Sequence, residues 1–128
     1  MTPVELHMIS DATGETAQRL VQALEAQFPE QEFMEIRHPR VESAVDLQLA
    51  VERMKGRPAV VVYTLVEPDL RETMRQLCRK AKLHYCDLLG HPIDAIARVS
   101  RCISRVSGSS EPDVEDGAGM KRLTVVPM

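Results

Sequence analysis

Ser10-Asp11-Ala12-Thr13-Gly14-Glu15-Thr16 follows directly on the apolar run from Val4 to Ile9. Hydroxyls, carboxylates and a glycine at a strand-to-helix junction are the materials of an anion site. The first N–H groups of a helix lack intrahelical partners, and the helix dipole adds partial positive charge among them. Ser10, Thr13 and Thr16 supply hydroxyl donors, and Gly14 lets the backbone approach a ligand closely. A purely local reading competes: Asp11 or Thr13 caps the helix by accepting from N–H groups two or three residues on. Asp11 and Glu15 are also candidate acid/base groups, but nothing beside them marks a nucleophile.

A second polar segment, Thr64-Leu65-Val66-Glu67-Pro68-Asp69-Leu70-Arg71, follows the β-branched run at Ala59 to Tyr63. Thr64 adds another hydroxyl, and the fork of Arg71 can grip a phosphate or carboxylate through two bonds. Here too a structural role competes. Glu67 and Asp69 suit the start of a helix, and Arg71 can pair with one of them. Arg37, His38 and Arg40 form a weaker basic group, either positive charge for the same site or a solvated face.

Several chemistries are excluded. The chain contains neither GxxxxGK[ST] nor GxGxxG, the marks of nucleotide-hydrolase and dinucleotide loops. A phospho-acceptor receiver domain would place Asp after the third strand, where Tyr63-Thr64 stands. Cys78, Cys86 and Cys102 form no CxxC pair, and their odd number argues against a disulfide framework. His84 and Cys86 share a strand face but fall short of the four donors of a structural zinc, so no metal site is expected. A net charge of -3, with Phe28, Phe33, Tyr63 and Tyr85 as the whole aromatic complement, argues against nucleic acid and acidic membranes as partners. No run approaches the roughly 20 apolar residues of a membrane span, and no signal-peptide pattern precedes Val4. A reducing, cytoplasmic compartment is the expectation.

The elements that must position these loops alternate. Val4 to Ile9 predicts a strand. Ala17, Leu20, Val21, Leu24 and Phe28 predict a helix closed by Pro29, and Phe33 to Arg37 an edge strand. Ala44, Leu47, Val51 and Met54 mark a second helix ended by Lys55-Gly56. Ala59 to Tyr63 reads as a central strand buried on both faces. Pro68 opens a third helix along Leu70, Met74, Leu77, Cys78 and Ala81. Leu83 to Leu88 is a fourth strand, and a last helix begins at Pro92. Strand and helix in alternation predict an α/β fold: a three-layer open parallel sheet of about four strands with helices on both faces. Residues 1–105 form this domain. Residues 106–128 read as a flexible acidic tail, in which Leu123 to Val126 is either one more strand or, as preferred here, disordered.

In open parallel sheets ligands sit beyond the carboxyl ends of the strands, where strand order reverses. If the first strand lies between the second and third, Ser10–Thr16 and Thr64–Arg71 meet at that crevice. The anion candidates are then Ser10, Asp11, Thr13, Gly14, Glu15, Thr16, Thr64 and Arg71, with Arg37 and Arg40 as weaker ones.

These segments also carry a resemblance. Met8-Ile9-Ser10-Asp11-Ala12-Thr13-Gly14-Glu15-Thr16-Ala17 resembles the opening motif of the regulatory proteins of pyruvate, phosphate dikinase and of phosphoenolpyruvate synthase. Val61 to Arg71 is similar to a second segment of that family, and Asp87-Leu88-Leu89-Gly90 to a third. Order and separation agree, and the likeness covers roughly residues 4 to 100, with none after about residue 104. His91 separates Gly90 from Pro92, where the family often runs Gly-Pro directly. The resemblance implies a bifunctional serine/threonine kinase and pyrophosphorylase. It inactivates its dikinase by phosphorylating a threonine with ADP, then reverses this with inorganic phosphate, releasing pyrophosphate. ADP and phosphate are thus the implied ligands, and a dikinase or synthase the implied protein partner. A homodimer is left open. Family members are longer, and their phosphate-binding loop lies in a C-terminal part with no counterpart here. The expectation is an N-terminal, truncated part of such a regulator, inactive alone. The alternatives are a non-catalytic anion- or partner-binding α/β domain and, less favoured, a receiver-like signalling domain.

Overall fold

Residues 2–107 are described by a computed structural model. Four strands and four helices alternate along them: β1 Val4–Ser10, α1 Glu15–Glu25, β2 Phe33–His38, α2 Ala44–Met54, β3 Ala59–Thr64, α3 Pro68–Lys80, β4 His84–Asp87 and α4 Gly90–Ser107. The chain divides into two units, residues 1–94 and 95–128. The first holds the whole sheet, α1 to α3 and the start of α4. The second holds the rest of α4. Of the stretch read as an acidic tail, Val106 and Ser107 belong to α4, and everything beyond, including Leu123 to Val126, lies outside the described residues.

All three strand pairings are parallel, in the order β2-β1-β3-β4. The expected α/β open sheet is therefore present. Its order decides which face each helix covers. The first crossover runs from β1 outward to β2, whereas the next two run the opposite way across the sheet. Right-handed connections then put α1 on one face and α2 with α3 on the other. Two apolar clusters follow this division. Ile9, Val61, Tyr63, Leu47, Val51, Met54, Met74 and Cys78 pack on the α2/α3 face. Met8 and Val62 pack against Ala17 and Val21 of α1 on the other. Alternation along β1 and β3 feeds both clusters, which is why these central strands read as near-continuous apolar runs.

Element ends differ from the sequence reading in instructive ways. α1 stops at Glu25 instead of reaching Phe28, because Gln27 and Phe28 donate to Leu24 and Glu25 carbonyls in a tightened final turn. α4 begins at Gly90, ahead of Pro92, because the Asp87 carboxylate accepts from the N–H groups of Leu89 (3.2 Å) and Gly90 (2.7 Å) and caps it. β4 is shorter than expected, spanning His84–Asp87.

β1 also carries two polar residues inside the sheet. Glu5 and His7, two apart and so on one face, are both buried. Glu5 Oε1 lies 2.9 Å from His7 Nε2, and His7 Nδ1 lies 2.9 Å from His38 Nε2 on the edge strand β2. Arg57 Nε donates to the other Glu5 oxygen at 2.7 Å. The two imidazoles thus hand hydrogen bonds from β2 to a carboxylate that Arg57 neutralises. The guanidinium and His7 hold Glu5 down at about 2, while burial pushes His38 down to about 4.

Candidate functional site

β1 lies between β2 and β3, so strand order reverses between β1 and β3. Ser10 and Thr64 are register partners at the carboxyl ends of those two strands, and both are buried. The loops that leave them enclose a notch of about 300 Å³ lined by Ser10, Asp11, Ala12, Thr13, Gly14, Glu15, Thr16, Thr64, Val66 and Leu89. Seven of the eight stronger candidates line it. Arg71 does not.

The loop after β1 is built around one local side-chain bond and one long-range one. Ser10 Oγ accepts from the Ala12 N–H at 2.9 Å, which turns the chain immediately after the strand. Gly14 then adopts φ 87°, a left-handed conformation open to glycine without strain, and serves as the N-cap of α1. No side chain caps this helix, so the local role considered for Asp11 and Thr13 is not the one they play. Asp11 instead reaches across the notch, where its Oδ2 accepts from the Val66 N–H at 2.9 Å. That bond sutures the two loops.

The second loop closes on itself. Arg71 Nη1 donates to the carbonyls of Val66 (2.7 Å) and Leu65 (3.5 Å), and its Nε lies 3.9 Å from Asp87 Oδ2. Arg71 therefore pairs with neither Glu67 nor Asp69. Its charge is used to hold the β3–α3 turn and to meet the carboxylate that caps α4. The Asp87-Leu88-Leu89-Gly90 segment acquires a physical reason here: a Cβ on Gly90 would overlap the Asp87 carboxylate.

The cation that does stand near the notch is Arg37. A Cβ built on Gly14 would lie 3.5 Å from Arg37 Nε and 4.0 Å from its Nη2. Sequence reasoning ranked Arg37 below Arg71. The missed signal is register: Met8 pairs with Arg37, so Arg37 shares the face of Met8 and Ser10, on the α1 side. Arg40 contributes through its backbone, its N–H donating to the Ala12 carbonyl at 2.9 Å with φ 55°. Val41 N–H donates likewise to the Ser10 carbonyl at 2.9 Å, so the segment after β2 braces the first loop from outside.

The notch offers the N–H groups at the start of α1, the hydroxyls of Thr13, Thr16 and Thr64, and Arg37 beside Gly14. Asp11 and Glu15 offset that positive character, the former partly engaged by Val66. Such a set suits a phosphoryl group bearing a proton or an ester more than a fully ionised anion. Among the described residues, no cluster of three or more His, Cys, Asp or Glu could hold a metal ion, and no helix is long and apolar enough to cross a membrane.

Fold and site together define a doubly wound α/β protein with a loop-built notch at its topological switch point. Comparison with known families narrows the class. The kinase/pyrophosphorylase family model matches residues 6–118, and the chain belongs to that family. The match runs past residue 104, where likeness by motif ends. Over 104 residues the chain is 34% identical to a protein of Cutibacterium acnes named as a pyruvate, phosphate dikinase regulatory protein, covering 77% of this chain and 35% of that one. A protein of Staphylococcus saprophyticus with the corresponding name is 34% identical over 116 residues, 90% of this chain and 40% of its own length. One from Bartonella tribocorum is 33% identical over 88 residues, 69% and 32% respectively. The chain thus spans about 30 to 40% of the length of the curated relatives it matches.

Proposed function

We propose that this chain is the N-terminal part of a bifunctional enzyme that regulates pyruvate, phosphate dikinase or phosphoenolpyruvate synthase, and that its notch handles a phosphoryl group. In the forward direction a target threonine takes the terminal phosphoryl of ADP, leaving AMP. In the reverse direction inorganic phosphate takes it from the threonine, leaving pyrophosphate and the free hydroxyl. In both directions the donor carries the phosphoryl group that moves, and phosphoryl transfer depends chiefly on positioning and charge stabilisation. One observation carries the reading: two loops of this family member converge at the switch point on an uncapped helix N-terminus, with Arg37 alongside.

In this reading the α1 N–H groups and Arg37 hold phosphoryl oxygens, and the hydroxyls of Thr13, Thr16 and Thr64 set orientation. Asp11 acts by joining the loops. Arg71 acts only through the β3–α3 turn. The isolated chain is expected to bind without transferring.

The test is an amide-resolved NMR titration of the purified chain with ADP, phosphate and pyrophosphate. Millimolar ligand should shift amides within Asp11–Thr16 and near Thr64. Stationary amides there would end the phosphoryl reading. Incubation with ADP and purified dikinase should yield no phosphothreonine, and transfer by the chain alone would overturn its assignment as a partial enzyme.

A further inference from the structure

Helices α1 to α3 divide unequally between the two faces of the sheet. Four strands about 4.8 Å apart make a face roughly 15–19 Å wide, and helices pack about 10 Å apart, so each face seats two helices. α2 and α3 fill one. Of α1 to α3, only α1 lies on the other. Beside it runs a groove of about 400 Å³, walled by Val21, Leu24 and Phe28 and floored by Val60, Val62 and Cys86. Leu20 and Leu24, four apart on α1, are 38% and 46% exposed, and Phe28 beyond them is 58% exposed. An exposed ridge of this spacing is the wall against which a second helix packs.

One group in the groove is not apolar. Glu25, the last residue of α1, has an Oε2 that is shielded from solvent and has no hydrogen-bond partner, the sole such buried side-chain oxygen or nitrogen among the described residues. Glu35 of β2 is the register partner of Leu6 and so faces the same side. Burial, and then the neighbouring Glu35 carboxyl, push Glu25 above the usual carboxylate range. The two carboxyls can share one proton, and a cation arriving there displaces it and pairs with both.

We propose that this groove docks an amphipathic helix of a partner protein that carries a lysine or arginine within its apolar stripe, the cation seated on the Glu25 and Glu35 carboxyls. The apolar walls take the stripe, and the orphaned Glu25 oxygen receives the N–H donor. A sheet face, with its strand backbones already paired, reads side chains and so selects a helix over an extended strand. Val4, Leu6 and Val60 place the groove toward the amino ends of the strands, away from the notch. Occupancy here is therefore separable from ligand binding at Ser10–Thr16.

The experiment uses the full chain and two designed helical peptides sharing one leucine stripe, with either lysine or glutamate at its centre. Cys86 lies in the groove and is exposed, so its alkylation rate reports occupancy, while exposed Cys102 serves as an internal reference. The lysine peptide should slow Cys86 alkylation and bind about tenfold tighter than its glutamate twin. The double variant E25Q/E35Q should bring the two peptides within about twofold of each other. Leu24→Glu, at an exposed position that leaves the core intact, should abolish binding of both. Saturating ADP should change none of these values, which separates failure here from failure of the notch. Equal binding of the two peptides to the wild-type chain, or no protection of Cys86, overturns the proposal. So does concentration-dependent protection of Cys86 without peptide, which would identify a second copy as the occupant.

Discussion

The Asp11 carboxylate accepts a hydrogen bond from the backbone N–H of Val66 at 2.9 Å, joining two loops that lie 55 residues apart in sequence. The N-cap of α1 is Gly14, which has no side chain to cap the helix, and Asp11 three residues earlier is engaged across the notch instead.

Removal of that suture should loosen the notch without unfolding the sheet. Asp11→Ala is expected to cost about 1 kcal/mol, because an exposed hydrogen bond to a charged acceptor lies at the low end of its class. Asp11→Asn keeps an acceptor oxygen and should cost less than half as much. Urea denaturation gives the stability, and hydrogen exchange at the Val66 amide should quicken in Asp11→Ala more than in Asp11→Asn.

The two glycines of the motifs should respond unequally to alanine. Gly14→Ala meets only ordinary contact distances, so its penalty is the left-handed φ of 87°, about 1 kcal/mol. Gly90→Ala drives a methyl into the Asp87 carboxylate, which caps α4 and meets Arg71. A loss of about 2–3 kcal/mol is expected there, from the cap and the clash together. Thermal unfolding of both variants would show the order, and a larger loss for Gly14→Ala would contradict the geometry.

Acid should weaken the fold in two windows. His38 is depressed to about 4 from 6.5, so the unfolded chain binds its proton first and stability falls as pH drops from 6.5 towards 4. Glu5 is depressed to about 2 from 4.5, and its contribution is lost between those values. Glu25, raised instead, acts in the opposite sense. His38→Gln should flatten the upper window relative to wild type and leave the lower slope, as read from urea midpoints across pH.

The thiols should separate by accessibility. Burial pushes Cys78 up to about 12, whereas Cys86 and Cys102 are exposed. Alkylation at neutral pH should modify Cys86 and Cys102 and leave Cys78 slower by at least about a hundredfold until denaturant is added. Mass spectrometry of the labelled peptides checks this.

Much of the architecture was legible along the chain. The β-branched run at Ala59 to Tyr63 could only be a doubly buried strand, and Lys55-Gly56 and Pro68 marked a helix end and a helix start because backbone chemistry at those positions is local. The notch was legible on one condition, that the first strand lie between the second and third, and the observed order meets it by placing Ser10 beside Thr64. Arg71 was not legible, because a guanidinium has five donors and sequence does not say that the Val66 and Leu65 carbonyls receive some of them. Glu5 and His7, spaced two apart in an apolar strand, carried a signal that went unused: a buried acid on a central strand needs partners, here Arg57 and His7, with His38 in turn on His7.

By itself the sequence determined the elements and their parallel pairing, because periodicity, glycine, proline and crossover handedness act over short spans. Tertiary structure alone decided the strand order and the partners: Asp11 with Val66, Arg71 with Asp87, Arg37 beside Gly14, and Glu25 left with an unsatisfied oxygen in an open groove. Those outcomes depend on which donors and acceptors separate segments bring within about 3 Å, a distance set by packing and not by spacing along the chain.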